Sequence, residues 1–186
     1  MPALSPRERL DRLRLARSEN VGPVTFQRLI ERFGSAGAAL EALPNLAHQG
    51  GRRGPVRLCP EADAMREVEA VERLGARLLV LGDDAYPGPL SAIADPPPAL
   101  SVLGDIALLS RPSIALVGAR NASAAGRRFA RILAGEIGQA GLVVVSGLAR
   151  GIDTASHEGA LATGTIAVVA GGVDVVYPEE NRTLHG

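Results

Sequence analysis

The sequence predicts an α/β protein in which a small all-helical region precedes a parallel β-sheet. Two observations support this prediction. Apolar residues recur at helical spacing up to about residue 74, whereas from residue 113 onward short β-branched runs alternate with longer helical segments. Strands separated by long helices form βαβ units, in which the strands are parallel. We therefore expect a helical domain at residues 1–75 and an α/β domain at residues 76–186.

Four helices are predicted in the first domain. The first begins at Ser5, because Ser5, Pro6 and Glu8 form a capping-box pattern with proline at the first helical position. The second is expected to end at Gly34, the third at Leu43 before Pro44, and the fourth at Leu74 before Gly75. Residues 48–55 are predicted to be a loop. The fourth helix should face inward with Ala64, Val68, Val71 and Leu74.

The turn Asn20-Val21-Gly22-Pro23 joins the first two helices. It is similar to a helix-hairpin-helix turn, which grips the DNA backbone, but Asn20 stands where the first glycine is usual. Asparagine tolerates a left-handed backbone yet leaves less room for a phosphate. We favour a structural hairpin here and keep DNA contact as the alternative.

Strands are predicted in the second domain at residues 77–81, 99–103, 113–117, 142–145 and 165–170. A helix capped by Ser123 is expected to run to Gln139. The loops after the last three strands should meet at the carboxyl edge of the sheet. Arg120, Arg150 and Asp174 would then share one crevice.

The most informative stretch is residues 143–153, Val-Val-Val-Ser-Gly-Leu-Ala-Arg-Gly-Ile-Asp. It predicts a buried strand, a glycine loop in which Gly147 and Gly151 permit positive φ, and a helix over residues 154–163 capped by Asp153. Free N–H groups at such a helix start bind anions such as phosphate, and Arg150 adds a forked cation. A plain turn whose glycines serve only packing explains this stretch equally well.

Composition excludes several kinds of chemistry. All 20 basic residues are arginine, so a Walker A lysine and a Schiff-base lysine are both absent. A single cysteine, Cys59, excludes a disulfide framework, and the three histidines lack metal-ligand spacing, so we expect neither a metal nor a cofactor. No apolar run reaches membrane-spanning length, and residues 1–5 show no signal-peptide h-region, which favours a soluble cytoplasmic protein without membrane contact.

Ser146 and His157 invite an enzymatic interpretation as nucleophile and base. No Gly-x-Ser-x-Gly elbow surrounds Ser146, and no Gly-x-Gly-x-x-Gly fingerprint follows any predicted strand. His157 lies one helical turn beyond Asp153. We therefore expect both residues to support the loop structurally and expect no catalytic residues.

Several motifs of the second domain resemble the DNA-processing protein A family (DprA, also called Smf). They are Asp84-Ala85-Tyr86-Pro87, Asp95-Pro96-Pro97-Pro98, Val117-Gly118-Ala119-Arg120, Ser146 to Asp153 with His157, Gly172-Val173-Asp174, and Tyr177-Pro178-Glu179-Glu180-Asn181. The match runs from about residue 81 to residue 181 with order and spacing kept. The helical region matches in character only, as the sterile-alpha-motif-like domain that precedes the extended Rossmann-like domain in that family.

The resemblance implies a cytoplasmic protein that binds and protects single-stranded DNA. It further implies loading of the recombinase RecA during natural transformation (competence) and DNA recombination, and dimerisation through the Rossmann-like domain. The implied DNA contacts are Gly118, Arg120, Ser146, Gly147, Arg150 and Gly151, with Asp153 and His157 supporting the loop.

The sequence departs from the family pattern in two respects. After Arg120 the family often carries a Thr and a Tyr-Gly pair, whereas Ser123 and Ala125-Gly126 stand here, so an aromatic side chain is missing from that place. The chain also stops at Gly186, earlier than a family Rossmann-like domain ends, and we expect the domain to be incomplete there. The alternative function is a nucleotide phosphoribohydrolase-type enzyme, but the Pro-Gly-Gly-x-Gly-Thr-x-x-Glu loop of such enzymes is absent.

Overall fold

The computed structural model describes residues 3–49 and 54–185. The chain forms two compact units that divide after Gly104. The first contains the helices α1 (Pro6–Arg17), α2 (Pro23–Phe33), α3 (Ala36–Gln49), α4 (Glu61–Arg73) and α5 (Gly88–Ser91) and the strands β1 (Arg77–Val80) and β2 (Ala99–Val102). Four major helices were predicted, and all four are present.

Local capping explains where the first helices begin and end. The Ser5 hydroxyl accepts a hydrogen bond from the Glu8 N–H at 3.1 Å, so Ser5 caps α1 as predicted. Glu8 does not complete the box: its carboxylate accepts from the Ala36 N–H at 3.0 Å and caps α3 instead. Asn20 adopts a left-handed φ of 62° in the turn before α2, and Gly34 ends α2 at φ 76°.

The third helix is longer than predicted. It continues through Pro44 to Gln49, so the expected end at Leu43 is wrong, and His48 belongs to the helix rather than to a loop. A proline inside a helix removes one hydrogen bond. The continued helix offsets this loss by packing Leu46 against the core around Leu40 and Phe26. Residues 50–53 of the predicted loop lie outside the described residues.

The fourth helix ends at Arg73, one residue before the expected Leu74, and Gly75 follows at φ 72° as the expected stop. Ala64 and Val71 are buried and Val68 packs against the cluster that contains Ala64, but Leu74 is 45% exposed, so its expected inward position is wrong. The strands that follow α4 form an antiparallel pair, with Arg77 opposite Val102 and Val80 opposite Ala99. They are packed in the first compact unit with the helices.

The second unit carries the parallel sheet. Its elements are β3 (Ser113–Ala115), α6 (Ala124–Gln139), β4 (Val143–Ser146), α7 (Ile152–Ala160), β5 (Thr165–Ala167) and α8 (Arg182–His185), with 3₁₀ turns at Ile106–Ser110 and Glu179–Asn181. The strand order is β3-β4-β5, and both pairs are parallel. The predicted βαβ architecture is therefore confirmed.

The central strand and its helices form the core of the second unit. Val143 and Val144 are fully buried, and Val144 packs with Ala134 of α6 and Ala160 of α7. The two helices cross closely at glycines, since a Cβ on Gly135 would lie 3.3 Å from the Gly159 carbonyl oxygen. This tight layer holds the loops after β3 and β4 in fixed positions at the carboxyl ends of the strands.

Candidate nucleic-acid interface

The glycine loop, residues 147–151, leads from the buried end of β4 into α7. At its start, Ser146 is 4% exposed, and its hydroxyl donates to the Leu116 carbonyl at 2.7 Å, which ties β4 to the end of β3. Gly151 has the predicted left-handed conformation at φ 84°. Gly147 does not: the second left-handed residue of the loop is Leu148, at φ 57° and 2% exposed.

Asp153 is not the N-cap of α7, as the sequence suggested. The helix runs from Ile152 to Ala160 rather than over residues 154–163, with Gly151 at the cap position, so Asp153 lies in the first turn. Its carboxylate turns back over the loop and accepts from the Ala149 N–H at 3.3 Å. A Cβ on Gly147 would lie 2.9 Å from this carboxylate. Gly147 therefore provides room for Asp153 rather than an unusual backbone angle.

The loop after β3 touches the glycine loop through main-chain atoms. The Ile152 N–H donates to the Ala119 carbonyl at 3.2 Å. Gly118 packs on the Ile152 side chain so closely that a Cβ would come within 2.6 Å of it. On Gly151, a Cβ would collide with the Ala119 carbonyl. The expected meeting of the two loops is thus observed, and it places the main chains of residues 118–121 and 147–151 side by side.

The charges at this edge are only partly balanced. Arg120 is exposed and has no ion pair within the described residues. Arg150 pairs with Glu180 at 2.9 Å, and both side chains are 62% exposed. Asp153 and Asp174, the acids that sequence reasoning considered as counter-charges, pair with neither arginine. Asp174 is exposed, and its carboxylate lies against Gly172 in its own loop.

Sequence reasoning assigned no role to Asn181, although it belongs to one of the quoted motifs. Asn181 is 5% exposed, and its side-chain amide donates to the Leu148 carbonyl and to the Thr154 hydroxyl, both at 2.9 Å. It thereby clamps the segment 175–181 onto the glycine loop. An asparagine four residues after an exposed tyrosine gives no local signal of this contact, because its partners lie about thirty positions earlier.

His157 holds the sheet rather than the loop. It is 1% exposed, and its Nδ1 lies 2.8 Å from the Thr165 hydroxyl oxygen. Because the Thr165 hydroxyl donates its own hydrogen to the Val144 carbonyl at 2.8 Å, Nδ1 must carry the proton in the bond to Thr165. Burial lowers the pKa of His157, and the nearby charge of Asp153 opposes that shift. Its Nε2 is buried and has no hydrogen-bond partner within residues 3–49 and 54–185.

These contacts bear on the enzymatic interpretation. Ser146 bonds to a carbonyl of β3's end and His157 bonds to β5, so the two side chains do not form a nucleophile and base pair. In the described part of the chain, no cluster of three or more His, Cys, Asp or Glu side chains is arranged to hold a metal ion. None of the described helices has the length and apolar character that a membrane crossing requires.

The fold and the site together define a Rossmann-like α/β protein whose glycine loops and arginines lie at the carboxyl ends of parallel strands and which follows an N-terminal helical region in the sequence. The comparison with protein families is in agreement. The family model described as DNA recombination-mediator protein A matches residues 77–186, and the DprA-like N-terminal HHH domain matches residues 6–70. The chain belongs to the DNA-processing protein A family, and the suspected resemblance is confirmed.

Individual relatives cover parts of the chain. The DNA processing protein DprA of Streptococcus pneumoniae is 46% identical over 105 residues, which are 55% of this chain and 36% of that protein. That of Bacillus subtilis is 42% identical over 122 residues, 64% of this chain and 41% of the relative. The putative DprA of Mycobacterium tuberculosis is 35% identical over 179 residues, 88% of this chain and 43% of the relative. The chain thus spans less than half the length of these curated relatives.

Solved structures confirm the predicted fold. The X-ray structure of DprA from Streptococcus pneumoniae superposes with a TM-score of 0.70 at 29% identity, covering 98% of this chain and 64% of that one. A structure concerned with the single-stranded DNA binding mode of DNA processing protein A from Helicobacter pylori superposes with a TM-score of 0.53 at 31% identity. It covers 59% of this chain and 49% of that one.

Proposed function

We propose that this protein binds single-stranded DNA at the edge formed by the two contacting loops, residues 118–121 and 147–151. The proposal rests on one observation: two exposed arginines, Arg120 and Arg150, lie on two loops that contact each other through their main chains. Arg120 has no counter-charge within the described residues, and the only ion pair of Arg150 is an exposed one with Glu180. A phosphate is the ligand that such forked, exposed cations favour.

Main-chain donors add to the arginines. The N–H groups of Arg150 and Gly151 have no hydrogen-bond acceptor in the part of the chain that the structure describes. They stand at the start of α7, where the helix dipole favours negative charge. We assign Gly118, Arg120, Gly147, Arg150 and Gly151 to the DNA surface. Ser146, the remaining expected contact, is 4% exposed, donates its hydroxyl to the Leu116 carbonyl and accepts the Val168 N–H at 2.8 Å with its own carbonyl, so we assign it a structural role beneath the DNA surface.

Family membership supports the wider role. The relatives are DNA processing proteins, and the Helicobacter pylori relative binds single-stranded DNA. We propose that this chain protects single-stranded DNA and helps load RecA on it in natural transformation and recombination. We further propose that it acts as a homodimer in the cytoplasm, with a helical domain at residues 1–75 and the DNA-binding domain at residues 76–186. No structural observation favours the phosphoribohydrolase alternative, and we propose a binding protein rather than an enzyme.

Anisotropy titration of a labelled single-stranded oligonucleotide at several salt concentrations tests the DNA site. Arg120→Ala and Arg150→Ala should each weaken binding to all sequences and lower the slope of log affinity against log salt by about 0.7 per lost phosphate contact. Arg66→Ala is the matched control, since Arg66 is an exposed arginine of the first compact unit and is paired with Asp63 on α4. Unchanged affinity and slope in both loop variants would exclude this edge as the DNA site.

RecA loading has a separate readout. ATP hydrolysis by RecA on single-stranded DNA coated with a single-strand-binding protein should start sooner when this protein is added. The same acceleration with Arg120→Ala and Arg150→Ala together would separate RecA loading from the proposed DNA site. Light scattering of the free protein tests the homodimer, and a monomer mass at working concentration would refute it.

A further inference from the structure

Tyr177 is an aromatic side chain that the fold leaves in solvent. It is 72% exposed, whereas the other tyrosine, Tyr86, is 7% exposed and donates its hydroxyl to the Pro97 carbonyl at 2.7 Å. Tyrosine usually buries its apolar ring and exposes only its polar tip. A ring so far exposed contributes little to folding. Its exposure therefore suggests a role in binding.

The position of Tyr177 is fixed by its neighbours in the chain. Pro178, which follows it, is buried. Three residues after Tyr177, Glu180 pairs with Arg150 at 2.9 Å. Four residues after it, Asn181 hydrogen-bonds the Leu148 carbonyl of the glycine loop. Tyr177 therefore stands on a clamped segment, three residues from the glutamate that pairs with Arg150, the cation that we assign to a DNA phosphate.

We propose that Tyr177 is a stacking platform for an unpaired base of the strand whose phosphate binds Arg150. This inference rests on the proposed function. It adds a contact to a base, whereas the arginines are proposed to contact only phosphates. Aromatic side chains beside a basic groove are the usual source of single-strand affinity, because every base presents a π-face. Bases inside a duplex are already stacked on each other. Stacking on Tyr177 therefore favours single-stranded over double-stranded DNA, which phosphate contacts alone do not do.

Few aromatic side chains of this chain are placed where they could stack on a base. The chain has only five aromatic residues, and the place after Arg120 where the family often carries a tyrosine is occupied by Ala125. Phe26 is fully buried, and Tyr86 is nearly so. In the second unit the exposed aromatics are Tyr177 and Phe129, and Phe129 lies on α6 rather than on the clamped segment. Tyr177 is thus the exposed aromatic of the second unit on the segment that Asn181 ties to the glycine loop.

Intrinsic fluorescence gives a direct readout, because the chain has two tyrosines and no tryptophan. Stacking on a base should quench Tyr177 when an unlabelled single-stranded oligonucleotide is added. Tyr86, buried in the first unit, provides a constant background. The quenching should disappear in Tyr177→Phe. Quenching that persists in Tyr177→Phe, or none in the wild type at saturating DNA, would overturn the stacking.

Affinity provides the second arm. Tyr177→Ala should weaken single-stranded DNA binding about 5- to 150-fold, the range found for loss of one stacked base, whereas Tyr177→Phe should bind like the wild type. The salt slope should stay unchanged, because no phosphate contact is lost. With an oligonucleotide that is abasic throughout, wild type and Tyr177→Ala should bind equally. Phe129→Ala, which removes a 66% exposed aromatic from α6, is the matched control and should have no effect.

The outcomes separate the two proposals. Binding by the wild type that is insensitive to Tyr177→Ala overturns the stacking and leaves the proposed function intact. An equal loss in Tyr177→Ala and Phe129→Ala also overturns it, since exposed apolar area in general would then be responsible. If the wild type binds no single-stranded DNA, the proposed function fails and the stacking fails with it.

Discussion

Removal of the Asn181 clamp is expected to destabilise the glycine loop and to weaken DNA binding together. In Asn181→Ala the Leu148 carbonyl and the Thr154 hydroxyl both lose the donor that now stands 2.9 Å away. The bond to Leu148 is buried and the bond to Thr154 is partly buried, so water replaces the lost donor poorly. An acceptor left unsatisfied inside a protein costs about 1–3 kcal/mol.

The backbone of Leu148 increases the expected loss. A residue with a Cβ in the left-handed region costs roughly 1 kcal/mol, and the bond from Asn181 to its carbonyl helps to hold it there. We therefore expect Asn181→Ala to lower the free energy of unfolding by about 2–4 kcal/mol, a shift in melting temperature on the order of 10 °C for a chain of this size. Arg150 follows Leu148 closely, so the affinity for single-stranded DNA should fall even where the protein remains folded.

Thermal melting by circular dichroism and anisotropy titration at low temperature measure the two effects. Asn181→Asp should behave like Asn181→Ala, because it keeps the side-chain volume but replaces the donating amide by a carboxylate oxygen. Arg182→Ala is the control, since the next residue is exposed and pairs only with Glu179. A melting temperature and a DNA affinity of Asn181→Ala that both match those of Arg182→Ala would refute the clamp.

Two further predictions concern charge. Glu180→Gln should raise the affinity for single-stranded DNA up to about fivefold at low salt, because it removes an exposed ion pair that competes for Arg150. The gain should vanish in an Arg150→Ala background. An equal gain in that background would contradict the competition between Glu180 and phosphate. The melting temperature should fall as the pH is lowered from 7.5 to 5.5. Burial lowers the pKa of His157 in the folded state, so the unfolded chain binds the proton first as the pH falls. The stability that neutral His157 provides is therefore lost below about pH 6.5. An identical melting temperature of the wild type across the range would rule out this role of His157.

The order and type of the elements were readable from the sequence wherever local signals agreed. Ser5 and Ser123 cap their helices, and Gly34 and Gly75 end theirs, as their residue types predict. Those residues act on neighbours within a few positions, so the sequence contains both partners of each contact. Pro44 misled the prediction because a helix ends at proline only if nothing offsets the lost bond, and packing of Leu46 offsets it here.

The sequence predicted which loops meet at the site but not the side-chain contacts that hold them in place. Parallel topology alone brought the loops after β3 and β4 together, and the Ile152 N–H bond to Ala119 bears this out. The role of Asp153 was assigned from its type, but α7 starts two residues earlier than its apolar spacing suggested, so the Asp153 carboxylate bonds the loop from the first turn. Local sequence patterns could not predict the contacts of Asn181 and Glu180, because their partners are about thirty residues away in the sequence.

The charge arrangement at the edge explains why the two arginines remain available. A buried ion pair would hold Arg150 tightly, because desolvated charges are costly to separate. Here both Arg150 and Glu180 are 62% exposed, so their attraction is screened by water and a phosphate exchanges with the carboxylate at little cost. On the proposed function, we expect Arg120, which has no described counter-charge, to attract the strand, and Arg150 to exchange Glu180 for a phosphate. Because Glu180 and Tyr177 share one clamped segment, that exchange occurs next to the ring that we expect to receive a base.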